Sequence, residues 1–124
     1  MILIDTHILI WAMASPENLT PAERNVLEDI TRPIFVSAAS IWECAIKCGL
    51  GKLKLPPDFE SRVQQTTGYK IVPIDAVMAW RVKDLPQHHG DPFDRLIIAT
   101  AQEKHFTLMT RDRIFAQYDV LLWE

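Results

Sequence analysis

Short apolar runs, each followed at once by helix-starting residues, decide what this chain can fold into. Ile2-Leu3-Ile4 and Ile34-Phe35-Val36 carry no polar alternation, as expected of strands covered on both faces in a parallel sheet. Lys70 to Ile74, Thr107 to Thr110 and Val120 to Leu122 read as three more strands. Prolines at Pro16, Pro21, Pro33, Pro56, Pro57, Pro73, Pro86 and Pro92 keep every element short. Helices are expected over residues 6–14 and from the Thr20-Pro21-Ala22-Glu23 capping box to about Ile30. A third opens at Ser37 or Ser40 and ends at Gly49 or Gly51. Others run from Pro57 to about Thr67, from Asp75 to about Lys83, and from Asp91-Pro92-Phe93-Asp94 through residues 95–101. A short helical turn separates the last two strands. Strands alternating with helices mean an α/β fold with a mostly parallel sheet and right-handed crossovers. Open sheets of this kind place ligands at the carboxyl ends of their strands.

Residues 1–124 are the size of one domain, and 48% apolar with 23% charged residues is a folded composition rather than a disordered one. A net charge of −3 excludes a basic coat for non-specific nucleic-acid binding. It leaves room for an enzyme that meets nucleic acid through a metal ion and a local basic patch. Asp5 comes too early for a secretory leader, and no apolar run is long enough for a membrane span. Cys44 and Cys48 then read as reduced residues of a cytoplasmic protein.

Four acids fall where the strand-end rule wants them: Asp5 after the first strand, Glu43 in the helix after the second, Asp94 opening the apolar helix, and Asp112 after Thr107-Leu108-Met109-Thr110. On adjacent parallel strands all four converge on one rim. Two carboxylates about 4 Å apart repel by about 4 kcal/mol at an effective dielectric of about 20. Such a cluster persists when protons or a cation neutralise it. Hard oxygen donors favour Mg²⁺, with Mn²⁺ able to substitute, over zinc. Each acid also has a plainer reading. Asp5, Asp91 and Asp112 suit N-caps, Asp94 the partner of the Asp91 cap, and Glu43 the acid of a Ser40-x-x-Glu43 capping box.

The segments Ile2-Leu3-Ile4-Asp5-Thr6-His7, Ser40-Ile41-Trp42-Glu43, His89-Gly90-Asp91-Pro92-Phe93-Asp94-Arg95 with its apolar continuation to Ala101, and Thr110-Arg111-Asp112 together resemble the PIN domain. They are most similar to the branch that holds VapC-type toxins of toxin–antitoxin pairs. The resemblance covers essentially the whole chain and implies a three-layer α/β/α domain. It also implies a Mg²⁺-dependent endoribonuclease with Asp5, Glu43, Asp94 and Asp112 as catalytic acids and Thr6 as a polar helper. The family's usual Ser or Asn two residues after the first acid is His7 here.

On that footing Asp5 and Asp94 are expected as direct metal ligands, with Glu43 and Asp112 binding directly or through water. Thr110 is expected on an acid or a phosphate. Arg111 and Arg95 are expected on RNA phosphates, Arg95 alternatively in a structural ion pair. The resemblance further implies a homodimer and a VapB-type antitoxin, whose Arg or Lys would sit among the acids and through which alone operator DNA would be met. No membrane partner is expected.

His7, His88, His89 and His105 lack zinc spacing, and His88-His89 reads as a surface-loop pair. Trp11, Trp42, Trp80, Trp123, Phe93 and Phe106 read as core or dimer-interface residues, and Lys47, Lys52 and Lys54 as a modest basic stretch, either along an RNA path or a solvated helix end. A receiver domain is excluded because residues 50–56 offer no phosphate-accepting Asp. A dehalogenase-like phosphatase is excluded because His7 stands where its second Asp belongs. Two alternatives stay open: a PIN-fold module that binds RNA or a partner without catalysis, and a PIN nuclease outside any toxin pair.

Overall fold

A computed structural model describes residues 1–124. Five strands, β1 (Ile2–Ile4), β2 (Ile34–Ser37), β3 (Tyr69–Val72), β4 (Thr107–Met109) and β5 (Leu121–Leu122), form one sheet in the order β3-β2-β1-β4-β5. Every ladder is parallel. The helices are α1 (Thr6–Ala14), α2 (Pro21–Glu28), α3 (Ala38–Gly49), α4 (Phe59–Gln65), α5 (Ala76–Arg81) and α6 (Pro92–Lys104).

The period of two along each strand assigns the layers. Ile2 and Ile4 of β1 point to one face with Ile34, Val36 and Met109, where Ile8 and Leu9 of α1, Leu27 of α2, Cys44 of α3, and Phe59 and Val63 of α4 cover them. Leu3 points to the other face with Leu108, beneath Met78 of α5, Ile97, Ile98 and Ala101 of α6, and Phe115. All three β1 residues are buried, which is why that strand has no polar position. The result is the expected three-layer α/β/α arrangement. No helix is long and apolar enough to cross a membrane.

Caps set the helix boundaries. Thr20 and Glu23 exchange both capping-box bonds ahead of α2. That helix stops at Glu28, short of Ile30, because the Asp29 carboxylate accepts from the Thr31 backbone N–H and hydroxyl in a tight local turn. α3 is capped by Ser37, whose hydroxyl accepts from the Ala39 N–H. Ser40 is therefore interior, and the Ser40-x-x-Glu43 capping box does not form. β3 spans Tyr69–Val72 rather than 70–74, since Pro73 has no N–H to donate to the ladder. α6 is longer than its apolar stretch. Asp91 accepts from the Phe93 and Asp94 N–H groups at one end, and His105 closes the other in the left-handed conformation at φ 58°.

A buried arginine joins the loop before α6 to the helix itself. Arg95 donates to the carbonyls of Pro86 (2.9 Å), His89 (3.3 Å), Val82 (3.0 Å) and Leu85 (3.2 Å). The Tyr118 hydroxyl completes the tie, donating to the Pro86 carbonyl and accepting from the His89 N–H. Removing the guanidinium leaves several carbonyls without donors. Arg95→Met is therefore expected to cost about 2–4 kcal/mol in urea unfolding. An unchanged denaturation midpoint would show that the tie is dispensable.

Candidate active site

The chain leaves β1 toward β2 and β3 on one side and returns to β4 and β5 on the other, so the topological switch lies between β1 and β4. Asp5 follows β1 there, and Thr110 and Asp112 follow β4. The Asp5 N–H donates to the Met109 carbonyl at 3.1 Å, continuing the ladder to the site. α3 and α6 pack together above this edge and bring Glu43 and Asp94.

Asp5 is buried, and its two oxygens are both engaged. One accepts from the Ile8 N–H at 2.9 Å and caps α1; the other accepts from the Thr110 hydroxyl at 2.5 Å. Thr110 in turn accepts from the Asp112 N–H. Burial raises the Asp5 carboxyl above its ordinary value, against the lowering effect of Thr110. Asp112 is built the same way. One oxygen accepts from the Ile114 N–H and caps the 3₁₀ turn Arg113–Gln117, and the other lies 2.9 Å from His89 Nε2. Capping and clustering are thus joint duties of the same side chains, not rival explanations of them.

Asp94, in the first turn of α6, lies 2.9 Å from the same His89 nitrogen. Burial, and after it the Asp91 charge, pushes the Asp94 carboxyl up to about 7, with Glu43 and Asp5 adding to the rise and His89 opposing it. Glu43 is buried on α3. Its Oε2 pairs with Lys47 at 2.9 Å, while its Oε1 is buried without any partner. The Glu43 hydrogen bond and charge raise the Lys47 ammonium's pKa. One donor atom each from His89, Asp94 and Asp112 lie within 4.8 Å of one another.

Arg95, expected on an RNA phosphate or in an ion pair, and Thr6, expected as a polar helper, are both buried away from the surface. Arg95 faces inward onto carbonyls, as neither a surface phosphate contact nor an ion pair, because the 82–89 loop wraps its guanidinium. The Thr6 hydroxyl is buried and donates to Ser40 at 3.0 Å, fastening α1 to the helix that carries Glu43. Arg111 stays at the rim, bonded to Glu23 and lying 4.6 Å over the Trp11 ring. Burial would raise the Glu23 carboxyl, but the Arg111 hydrogen bonds hold it below its ordinary value. Thr110 serves an acid.

Two residues join the site that the sequence reading set aside. His89 is no surface-loop residue: its side chain is only 13% exposed and bridges two of the acids. Its signal was local, two residues ahead of the Asp91 cap, where a turn returns the ring to the helix start. Lys47 is not simply a solvated helix end, and its spacing of four from Glu43 was the available sign. Of the tryptophans, Trp42 (54% exposed) and Trp80 (72%) lie outside the core. Trp42 stands edge-on to Phe93 at 5.0 Å beside the acids.

The donor set suits a hard divalent cation. The available atoms are carboxylate oxygens, one of them an orphan in the interior. Asp94 gathers like charges that only a proton or a cation offsets.

A family model described as the PIN domain matches residues 2–121. The chain is 33% identical over 114 residues to Ribonuclease VapC22 of Mycobacterium tuberculosis, covering 90% of this chain and 87% of that protein. Its fold is similar to that in the crystal structure of VapBC2 from Rickettsia felis bound to a DNA fragment from their promoter. The TM-score is 0.73 and the identity 21%, with 100% of this chain and 98% of that one covered. It is also similar to FitAcB from Neisseria gonorrhoeae, with TM-score 0.64, 23% identity, and 100% and 97% covered.

The raised Asp94 carboxyl makes ion-free stability depend on pH. From about pH 4 to about pH 7 the folded protein holds a proton that the unfolded chain has lost, so stability is present at low pH and falls as pH rises. The fall is about 1–2 kcal/mol after allowance for solvent screening of a partly exposed group. Thermal melts in chelator should show this decline in the wild type and a flatter profile in Asp94→Asn. Parallel profiles would show that Asp94 titrates normally.

Proposed function

The chain belongs to the PIN domain family, and from that premise we propose that it is a divalent-metal-dependent endoribonuclease, the toxin of a VapBC-type toxin–antitoxin pair. The observation that carries this reading is the buried, orphaned Glu43 Oε1, on the helix packed against the one that carries Asp94 and with its charge felt there, at the sheet's switch point. A module that only binds RNA or a partner has no use for a buried acceptor without a donor. A metal-dependent hydrolase does. The VapC22 ribonuclease relative and the VapBC2 neighbour favour a toxin over a PIN nuclease outside any such pair.

Asp5, Glu43 and Asp94 would hold Mg²⁺, or Mn²⁺ in its place, with Asp112 at the edge of the site. When bound, the ion supplies charge neutralisation at the phosphodiester and activation of the attacking water. The chain's own residues do the rest. Thr110 and the Ile8 N–H fix Asp5 in one orientation. The Thr6–Ser40 bond ties α1 to α3, the helix that carries Glu43. Asp112, at the edge of the site, would orient the attacking water. Lys47 and Arg111 are cations at the rim that meet phosphates flanking the scissile bond.

A VapB-type antitoxin would inhibit by placing an Arg or Lys among the four acids, taking the ion's share of the charge. Operator DNA would be met through that antitoxin. The exposed Val77 and Trp80 on α5 offer apolar surface to a second copy in a homodimer. The cytoplasm is the compartment where such a single-domain nuclease meets its RNA.

Purified protein should cleave single-stranded or looped RNA with Mg²⁺ or Mn²⁺ and stop on addition of EDTA. Asp94→Asn should lose at least about 100-fold of the cleavage rate while remaining folded. Cleavage that survives EDTA overturns the metal-dependent reading. Co-expression with the product of an adjacent upstream gene tests the toxin assignment. The expected product is a complex that neither cuts RNA nor takes up the ion as the free chain does.

A further inference from the structure

His89 is held more firmly than any loop histidine needs to be. Its carbonyl accepts from Arg95, its N–H donates to the Tyr118 hydroxyl at 2.7 Å, and its ring stands edge-on to Phe115 at 5.6 Å. The ring's two nitrogens face opposite kinds of group. Nδ1 accepts from the Asp91 N–H at 3.2 Å, so its lone pair is committed there and the ring proton resides on Nε2. Nε2 lies 2.9 Å from an oxygen of Asp94 and 2.9 Å from an oxygen of Asp112.

A nitrogen that carries a proton has no lone pair to give a metal. Three donor atoms within 4.8 Å would otherwise pass for a site with a histidine ligand, but the Asp91 N–H against Nδ1 opposes that arrangement. Two-metal hydrolases place their ions about 3.5–4 Å apart, close enough to share a ligand. Asp94 is the acid placed for sharing here, since it feels the charges of Glu43 and Asp5 and meets Asp112 through the His89 nitrogen. Its Asp112-facing oxygen is already taken by the His89 N–H. The unmet acceptor, Glu43 Oε1, is not among the donor atoms grouped around the His89 nitrogen.

We propose that the His89 Nε2–H occupies the place of a second cation between Asp94 and Asp112, so that this centre holds a single divalent ion among Asp5, Glu43 and Asp94. The inference rests on the metal-dependent reading above and extends it to stoichiometry. His89 is in this role a positioning residue. It joins Asp112 to Asp94 by hydrogen bonding, where other centres use a metal.

The test counts Mn²⁺ by electron paramagnetic resonance on the purified full chain, without reference to activity. Wild type should bind one Mn²⁺ per chain with no Mn–Mn spin coupling. His89→Gln, which keeps an N–H donor, should also bind one. His89→Ala should bind two, with a coupled spectrum. Nitrogen-15 resonance of wild-type His89 at saturating Mg²⁺ should retain the Nε2–H tautomer, a readout that needs no variant to fold. Two coupled Mn²⁺ in the wild type, one in folded His89→Ala, or a proton moved to Nδ1 on Mg²⁺ binding each overturns the inference while leaving metal dependence standing. Wild type that binds no Mn²⁺, with cleavage that survives EDTA, overturns the metal-dependent reading and this inference with it.

Discussion

The hydrogen bond from Thr110 to Asp5 joins the carboxyl ends of β1 and β4, and the site's arrangement follows from it. It fixes a buried carboxylate against its repulsion from neighbouring acids. Through Thr110 it also fixes the backbone of Asp112. Each remaining acid is likewise held by a tie that has nothing to do with a ligand. Asp112 caps the turn after β4, Lys47 restrains Glu43, and Asp94 stands in a helix turn already organised by Asp91. The cluster is therefore preorganised, and its cost is spread over helix caps that the fold requires anyway.

The layers and the converging acids were legible because they depend on local periodicity and on one topological rule. Ile2-Leu3-Ile4 announces a strand covered on both faces, and acids after strands fall at the switch point whichever helix intervenes. Finer placement was not legible where two local solutions compete. Ser37 and Ser40 are both capable N-caps. The choice fell to Ser37 because β2 runs on to that residue, which left Ser40 buried as the acceptor for Thr6. Asp29 ended α2 early for the same kind of reason, by offering the chain a turn of its own.

Long-range contacts account for the other differences. Arg95 sits beside Asp94 in sequence, yet consecutive helix residues point in different directions, and Arg95 turns inward to four carbonyls of the preceding loop. His89 was set aside for want of zinc spacing. Its local contacts with Asp91 and Asp94 were a sign, but the rest of its surroundings are made by Asp112, Phe115 and Tyr118, all more than twenty residues further along. No pattern along residues 86–91 alone contains them.

The sheet order has a consequence for how the protein is made. β1 is early in the chain yet central in the sheet, and one of its two neighbours, β4, follows about a hundred residues later. Contacts of such separation form late in folding, after the chain between them has been ordered. A ribosome-bound chain that has not yet released β4 has β1 without that neighbour, and Asp5 without Thr110 or Asp112. The acid cluster is thus assembled only once β4 and the turn after it have been made. A fragment that stops short of β4 therefore carries its first acid without the partners that order the rest.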